Sequence, residues 1–176
     1  SHISARVPGT KDEFLLNPYG MYFDEITATS LLRVNYDGEI LDDTNYSMST
    51  AAFNIHSAVL KGRPDLTCAL HTHTVAGMAV SSIEEGVLPL NQLSIAFYKR
   101  IAYHDYEGPA SREGGVDECE ALQRDLGQDK KVMVLRNHGL LTTGESIPEA
   151  FGLMRRLEKV CETQMYTMAM QGGGGT

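Results

Sequence analysis

Apolar and polar positions change period several times along the chain, and each change marks an element. Residues 12–17 and 31–36 are short apolar-rich runs bounded by turn residues, which predicts two brief strands. Gly20 and the pair Asp37-Gly38 are turn signals, the second suited to a hairpin. Over 49–62 the period lengthens. Ala52, His56, Val59 and Leu60 share one helical face, and Gly62 with Pro64 closes the segment. Residues 66–74 (LTCALHTHT) read as a buried strand; strand side chains alternate, so His71 and His73 point to the same side. A further helix begins over 76–82, and 98–106 (YKRIAYHDY) is aromatic and β-rich. Residues 116–126 predict an amphipathic helix with Cys119, Leu122 and Leu126 inward, ended by Gly127, and 131–136 (KVMVLR) a buried strand. The clearest helix spans 147–171. Ser146 and Glu149 form its capping box, Pro148 sits in its first turn, and Phe151, Met154, Leu157, Cys161, Met165 and Met168 form its apolar stripe. Strands and helices interleave, so the class is α/β or α+β with layered packing.

Composition narrows the function more than the fold. With 176 residues, the chain suits one domain with a proper core, 1–171, followed by a glycine tail over 172–176. It opens at Ser1 in mid-pattern, which suggests that residue 1 is not the natural start, and no signal segment is visible within the sequence. Fifteen lysines and arginines against 23 aspartates and glutamates give a net charge of -8, which speaks against a nucleic-acid partner. No apolar run is long enough to span a membrane. The three cysteines, Cys68, Cys119 and Cys161, form no CxxC pair, and a reducing cytoplasm suits them better than secretion.

The candidate chemistry lies in the histidines. His71 and His73 at strand spacing can reach one ion, and His138 follows the strand at 131–136, flanked by Asn137 and Gly139. Adjacent strands would bring the three imidazoles together around a divalent metal with a coordination position left open for substrate. Spacing alone equally allows three unrelated polar residues at strand ends. Tyr103, His104, Asp105, Tyr106 and Glu107 form a dense polar run, either a proton relay or a network in which Asp105 orients His104. Arg136 suits an anion or a salt bridge.

Three stretches carry a resemblance: IHSAVLKGRPDLTCALHTHTVAGMAVSS at 55–82, AYHDYEG at 102–108 and LRNHGLLTTGESIPEAF at 135–151. With SHISARVPG at 1–9 and the segment 15–40, they resemble the class II aldolase/adducin family, in its adducin-like branch related to fuculose-phosphate aldolase. The resemblance covers nearly the whole chain. It implies a three-layer αβα sandwich on a mixed, mostly antiparallel sheet, zinc held by His71, His73 and His138, a small-molecule substrate and a homotetramer. By the same resemblance, Asn17, Gly20 and Thr50 line the substrate pocket.

The departures from the family pattern define two readings. The aldolases carry Ser-Ser-Glu where this chain has Thr50-Ala51-Ala52, so Ala52 stands in the place of the acid/base glutamate. The Thr-Pro-Ser/Thr-Gly turn becomes Asn17-Pro18-Tyr19-Gly20, and Gly20 answers either to the pocket or to a positive φ. His56, one turn beyond Ala52, either replaces the missing base or is a core histidine. The first reading is a metal-dependent lyase on a small hydroxy-carbonyl or carboxylate compound, with His56, Tyr103 or His104 moving the proton. The second is a non-catalytic adducin-like assembly module that keeps the fold.

Overall fold

The computed structural model describes residues 1–106 and 115–172. Its centre is one seven-stranded sheet. In chain order the strands are β1 (His2–Arg6), β2 (Glu13–Leu16), β3 (Leu32–Asn35), β4 (Cys68–Thr72), β5 (Ile101–His104), β6 (Val132–Leu135) and β7 (Gly139–Gly144). In space they run β3-β2-β1-β4-β7-β6-β5, and every neighbouring pair is antiparallel except β5 with β6. The helices are α1 (Thr50–Gly62), α2 (Val75–Ser81), α3 (Gln92–Ile95), α4 (Gly115–Leu126) and α5 (Ile147–Gly172).

Alternation along the central strands shows that both faces are covered. In β6, Val132 and Val134 join Leu70 and Leu140 beneath α2 and α5, whereas Met133 and Leu135 join Ala69 and Leu141 beneath α1 and α4. A strand buried on both sides has no polar face, which is why VMVL is apolar throughout. Phe14, Leu16, Leu32 and Val34 of the outer strands close over Ala52 and Leu60 of α1. The result is the expected three-layer αβα sandwich on a mixed, mostly antiparallel sheet.

Local signals explain the main boundaries. Ser49 caps α1, its side chain accepting from the Ala52 N–H, and Thr74 caps α2 in the same way through the Gly77 N–H. Three elements had no periodic signal. Strand β1 was expected only through the resemblance. Strand β7 is buried at all six positions, so it shows no alternation. Helix α3 is a single turn begun by Asn91.

Helix α5 differs from its expected form at two points. Met154, Leu157 and Cys161 face the core, but Phe151 is 58% exposed and Met168 39% exposed. Ala150, Val160 and Gln164 complete the buried seam in their place. The capping box is half formed: Ser146 Oγ accepts from the Glu149 N–H, while the Glu149 carboxylate accepts from Glu145 N–H and pairs with Lys131. Cys68 and Cys161 are buried free thiols, as their apolar settings predicted. Among the described residues no helix is long and apolar enough to cross a membrane. Glu107, and the tail from 173 onward, lie outside the described residues.

Leu141 is fully buried at the middle of the sheet, between β4 and β6. Leu141→Ala should lower the unfolding free energy by about 2–5 kcal/mol in urea titration. A loss under ~1 kcal/mol would mean that this face collapses around the missing group.

Candidate metal centre

The sheet brings His71, His73 and His138 together. His71 stands in β4 opposite Leu141 of β7. His73 lies one residue past the end of β4, and its ring still projects to the His71 side. His138 closes the turn from β6 to β7. That turn depends on Asn137 at φ 55°, a backbone region Asn tolerates, and on its N–H bonding to Ser81 O at 3.0 Å. Gly139 must be glycine, because a Cβ there would sit 2.2 Å from Thr72 O and 3.2 Å from His73 Cδ2.

The three Nε2 atoms meet tip to tip. His71 and His73 are 2.6 Å apart, His73 and His138 2.9 Å, and His71 and His138 3.2 Å. His71 Nδ1–H donates to Leu140 O at 2.9 Å, an assignment that leaves its Nε2 as a bare lone pair directed at the other two rings. A tetrahedral zinc with bonds of about 2.0–2.1 Å would set ligand nitrogens roughly 3.3 Å apart. The triad therefore fits such a cation after the His71–His73 pair opens by about 0.7 Å and the other two pairs by less. Among the described residues it is the single group able to surround a metal ion.

Burial prepares these rings to be neutral ligands. It holds His71 well below the ordinary histidine range, with the neighbouring imidazoles adding to the effect, and brings His138 down to about 4. His73 is also lowered by burial, though it is the most exposed of the three. The gradient from buried His71 to exposed His73 leaves the open side at His73.

All six histidines of the chain gather at this side of the sheet. His2 is the β1 partner of His71. His56 is fully buried on α1; its Nδ1 lies 2.6 Å from Ser4 Oγ, its ring is 6.3 Å from His2, and its Nε2 has no partner among the described residues. His104 Nδ1–H donates to Asp125 of α4 at 2.8 Å, and its Nε2 is also buried without a partner among the described residues. Burial alone would raise the Asp125 carboxyl, but the bonds from His104 and Arg124 outweigh it and hold it below its ordinary value.

Other expected site residues lie elsewhere. Tyr103 precedes His104 in β5 and faces the opposite side, where its hydroxyl accepts from Val87 N–H and Arg136 stacks on its ring at 4.4 Å. Consecutive strand residues cannot both reach the triad. Arg136 has no carboxylate partner among the described residues; its Nη1 donates to Ile83 O instead. Asp105 is exposed beside the Tyr106 ring, which stands 6.3 Å from His138, and Asp125 takes the role of orienting His104. Asn17 is buried and receives the Ile3 N–H on Oδ1. Gly20 has φ +85° with open space where a Cβ would project, so conformation alone requires glycine there. Thr50 is exposed in the first turn of α1. Ala52 is 3% exposed within the apolar cluster of β2 and β3. Asp125 and Ser4 were missed, since neither falls in a motif with the histidine it supports.

Three comparisons bear on this geometry. The family described as Class II Aldolase and Adducin N-terminal domain matches residues 1–165. A Pseudomonas aeruginosa protein named for aldolase class 2 is 48% identical over 173 residues, covering 98% of this chain and 64% of that protein. Alpha-adducin of Rattus norvegicus is 42% identical over 177 residues, covering 98% of this chain and 23% of its own. The solved structure of L-fuculose 1-phosphate aldolase from Glaciozyma antarctica has a TM-score of 0.83 at 32% identity, covering 96% of this chain and 64% of that one. The chain thus spans just under two thirds of the two aldolase-named proteins and under a quarter of the adducin.

The unpartnered burial of His56 has a measurable consequence. Burial lowers its proton affinity to about 3, against 6.5 when unfolded. Between those values the unfolded chain binds a proton that the folded chain refuses, so stability falls as the pH drops from 6.5 toward 3. In metal-free protein, His56→Gln should remove ~2 kcal/mol of the stability lost between pH 7 and pH 5. Parallel urea profiles for the two proteins at both pH values would show that His56 is not the group responsible.

Proposed function

The chain belongs to the class II aldolase and adducin N-terminal domain family, and from that premise we propose that it is a metal-dependent lyase of the aldolase or decarboxylase type. Its substrate is a small hydroxy-carbonyl or carboxylate compound. The observation that carries this reading is the meeting of three neutral imidazole nitrogens within 3.2 Å of one another, open on the His73 side. His71, His73 and His138 hold the cation, and an all-nitrogen set of three with one open position favours zinc. When bound, the cation supplies Lewis-acid polarisation of a substrate oxygen.

The protein's own groups supply the rest. Leu140 O fixes the tautomer of His71. The proton passes to His56 Nε2 or His104 Nε2, the two buried nitrogens beside the triad that have no partner. His56 lies one turn from Ala52, the place of the family's glutamate, and takes the proton only when substrate relieves the burial that holds its proton affinity low. Asp125 holds His104 in the tautomer that keeps its Nε2 free. Asn17, Gly20 and Thr50 lie at the far end of the substrate, and Tyr103 supports the sheet rather than the reaction. The protein works in the cytoplasm as a homotetramer, and Val75, Phe151, Tyr166 and Met170, all exposed on α2 and α5, offer apolar surface for association.

A second reading has its own observation. Position 52 is filled by alanine packed among apolar side chains, and alpha-adducin matches this chain along 98% of its length. On that reading the domain is an assembly module that keeps the fold without the chemistry.

Protein purified without a histidine tag should carry about one divalent cation per chain by elemental analysis. His73→Ala should lose that cation and keep its circular dichroism spectrum. The cation-loaded protein should then cleave or decarboxylate a member of a panel of hydroxy-acids and sugar phosphates, and His56→Gln should slow turnover by about 100-fold or more. A folded protein that refuses added zinc would overturn the metal centre. One that binds zinc and leaves the whole panel untouched would favour the assembly module.

A further inference from the structure

The three imidazoles are held by different means. His71 is fixed through its ring, by the bond from Nδ1 to Leu140 O. His138 is fixed through its turn, by its own N–H on Leu135 O and by Asn137 N–H on Ser81 O. The His73 ring has no hydrogen-bond partner among the described residues except the two imidazoles it faces. Its direction is therefore set by the backbone of Thr72, His73 and Thr74, where β4 ends and α2 begins.

That backbone is gripped on both sides by one distant carboxylate. Thr72 Oγ1 donates to Glu158 Oε1 at 2.5 Å, and Thr74 Oγ1 donates to Glu158 Oε2 at 2.5 Å. Hydrogen bonds to an ionised acceptor are short and about twice as strong as neutral ones. The Thr74 oxygen in turn accepts the Gly77 N–H at 3.1 Å, so the carboxylate, the hydroxyl and the α2 cap form one chain of bonds. Glycine at 77 allows this close approach, since a Cβ there would lie 2.8 Å from the hydroxyl. Glu158 is 86 and 84 residues from its two partners and comes from α5, on the opposite face of the sheet from α1.

We propose that Glu158 is a positioning residue of the metal centre: it braces the Thr72–Thr74 backbone through both hydroxyls and so aims His73 at the cation. The proposal rests on the triad holding a metal, as argued above. The plainer role would be to join α5 to α2, and the two roles separate by what each can change. At a temperature where every metal-free protein is fully folded, a loss of stability alone leaves metal affinity untouched. Misdirection of one ligand lowers that affinity, by about 10–100-fold for outer-shell partners of this kind.

The test is competition of the purified protein against a chromogenic chelator for Zn2+, with Co2+ absorption spectra to report ligand geometry. Glu158→Ala should weaken Zn2+ binding by about 10–100-fold and alter the Co2+ spectrum. Glu158→Gln, which keeps the shape and loses the charge, should fall between it and the parent. Thr72→Val removes one arm away from the α2 cap, should weaken binding less, and carries the test if Glu158→Ala fails to fold. In metal-free Glu158→Ala, hydrogen exchange at the Gly77 amide should quicken. Parent-like affinity and spectrum in the folded variants would overturn the brace alone. A parent protein that binds neither Zn2+ nor Co2+ would overturn the metal centre as well, and Gly77 exchange would still show whether the carboxylate grips the corner.

Discussion

Strand β4 lies near the middle of the sheet, bonded to β1 on one side and β7 on the other, in a register that sets His71 opposite both His2 and Leu141. Strand side chains alternate, so a slip of one residue would turn His71 toward α5 and present Leu70 to α1. The apolar face of each helical layer resists that slip, because Cys68 and Leu70 are needed on one side and Ala69 on the other. The same register carries His73 just beyond the strand and brings β7 so close to Thr72 and His73 that Gly139 can have no side chain. Core packing and the candidate chemistry are thus specified by a single strand pairing.

The parts of this arrangement visible in the chain were those with a local period. The histidine pair in β4, the α1 face running through Ala52 and His56, and the long α5 all follow from spacing. What the pattern could not show is what needs a partner from far away. Strand β7 has no alternation because helices cover both its faces, and β1 is recognised only by its place in the family pattern. The third histidine joins the pair through the β4–β7 contact, a distance of 67 residues between His71 and His138. Asp125 and Glu158 belong to helices whose local sequence gives no reason for a carboxylate. Tyr103 shows the limit of reading clusters: a run of polar residues along a strand is divided between two faces, and only one of them can meet the site.

Electrostatics at the site run against the net charge of the chain. An acidic protein has gathered its histidines on one side of the sheet, and burial keeps His2, His56, His71, His73 and His138 neutral rather than cationic. Neutral rings are the form that donates lone pairs, so the same desolvation that weakens the fold in acid leaves the three imidazoles of the triad able to offer them near neutral pH. Ala52 fits this setting as well. A carboxylate there would have to turn away from the apolar cluster of β2 and β3 or find a partner beside it.

Cys68 and Cys161 sit at 0% exposure on either side of the β4–α5 contact, and burial pushes both thiols up to about 12. Thiolate, not thiol, reacts with alkylating reagents and binds soft cations. In the closed molecule neither sulfur is in the thiolate form that would bind a soft cation or react. Each becomes reactive only when α5 lifts from the sheet, and α5 is the helix that carries Glu158. The protein thus contains its own clock for that separation: the rate at which these two sulfurs are modified counts how often the layer over β4 comes apart.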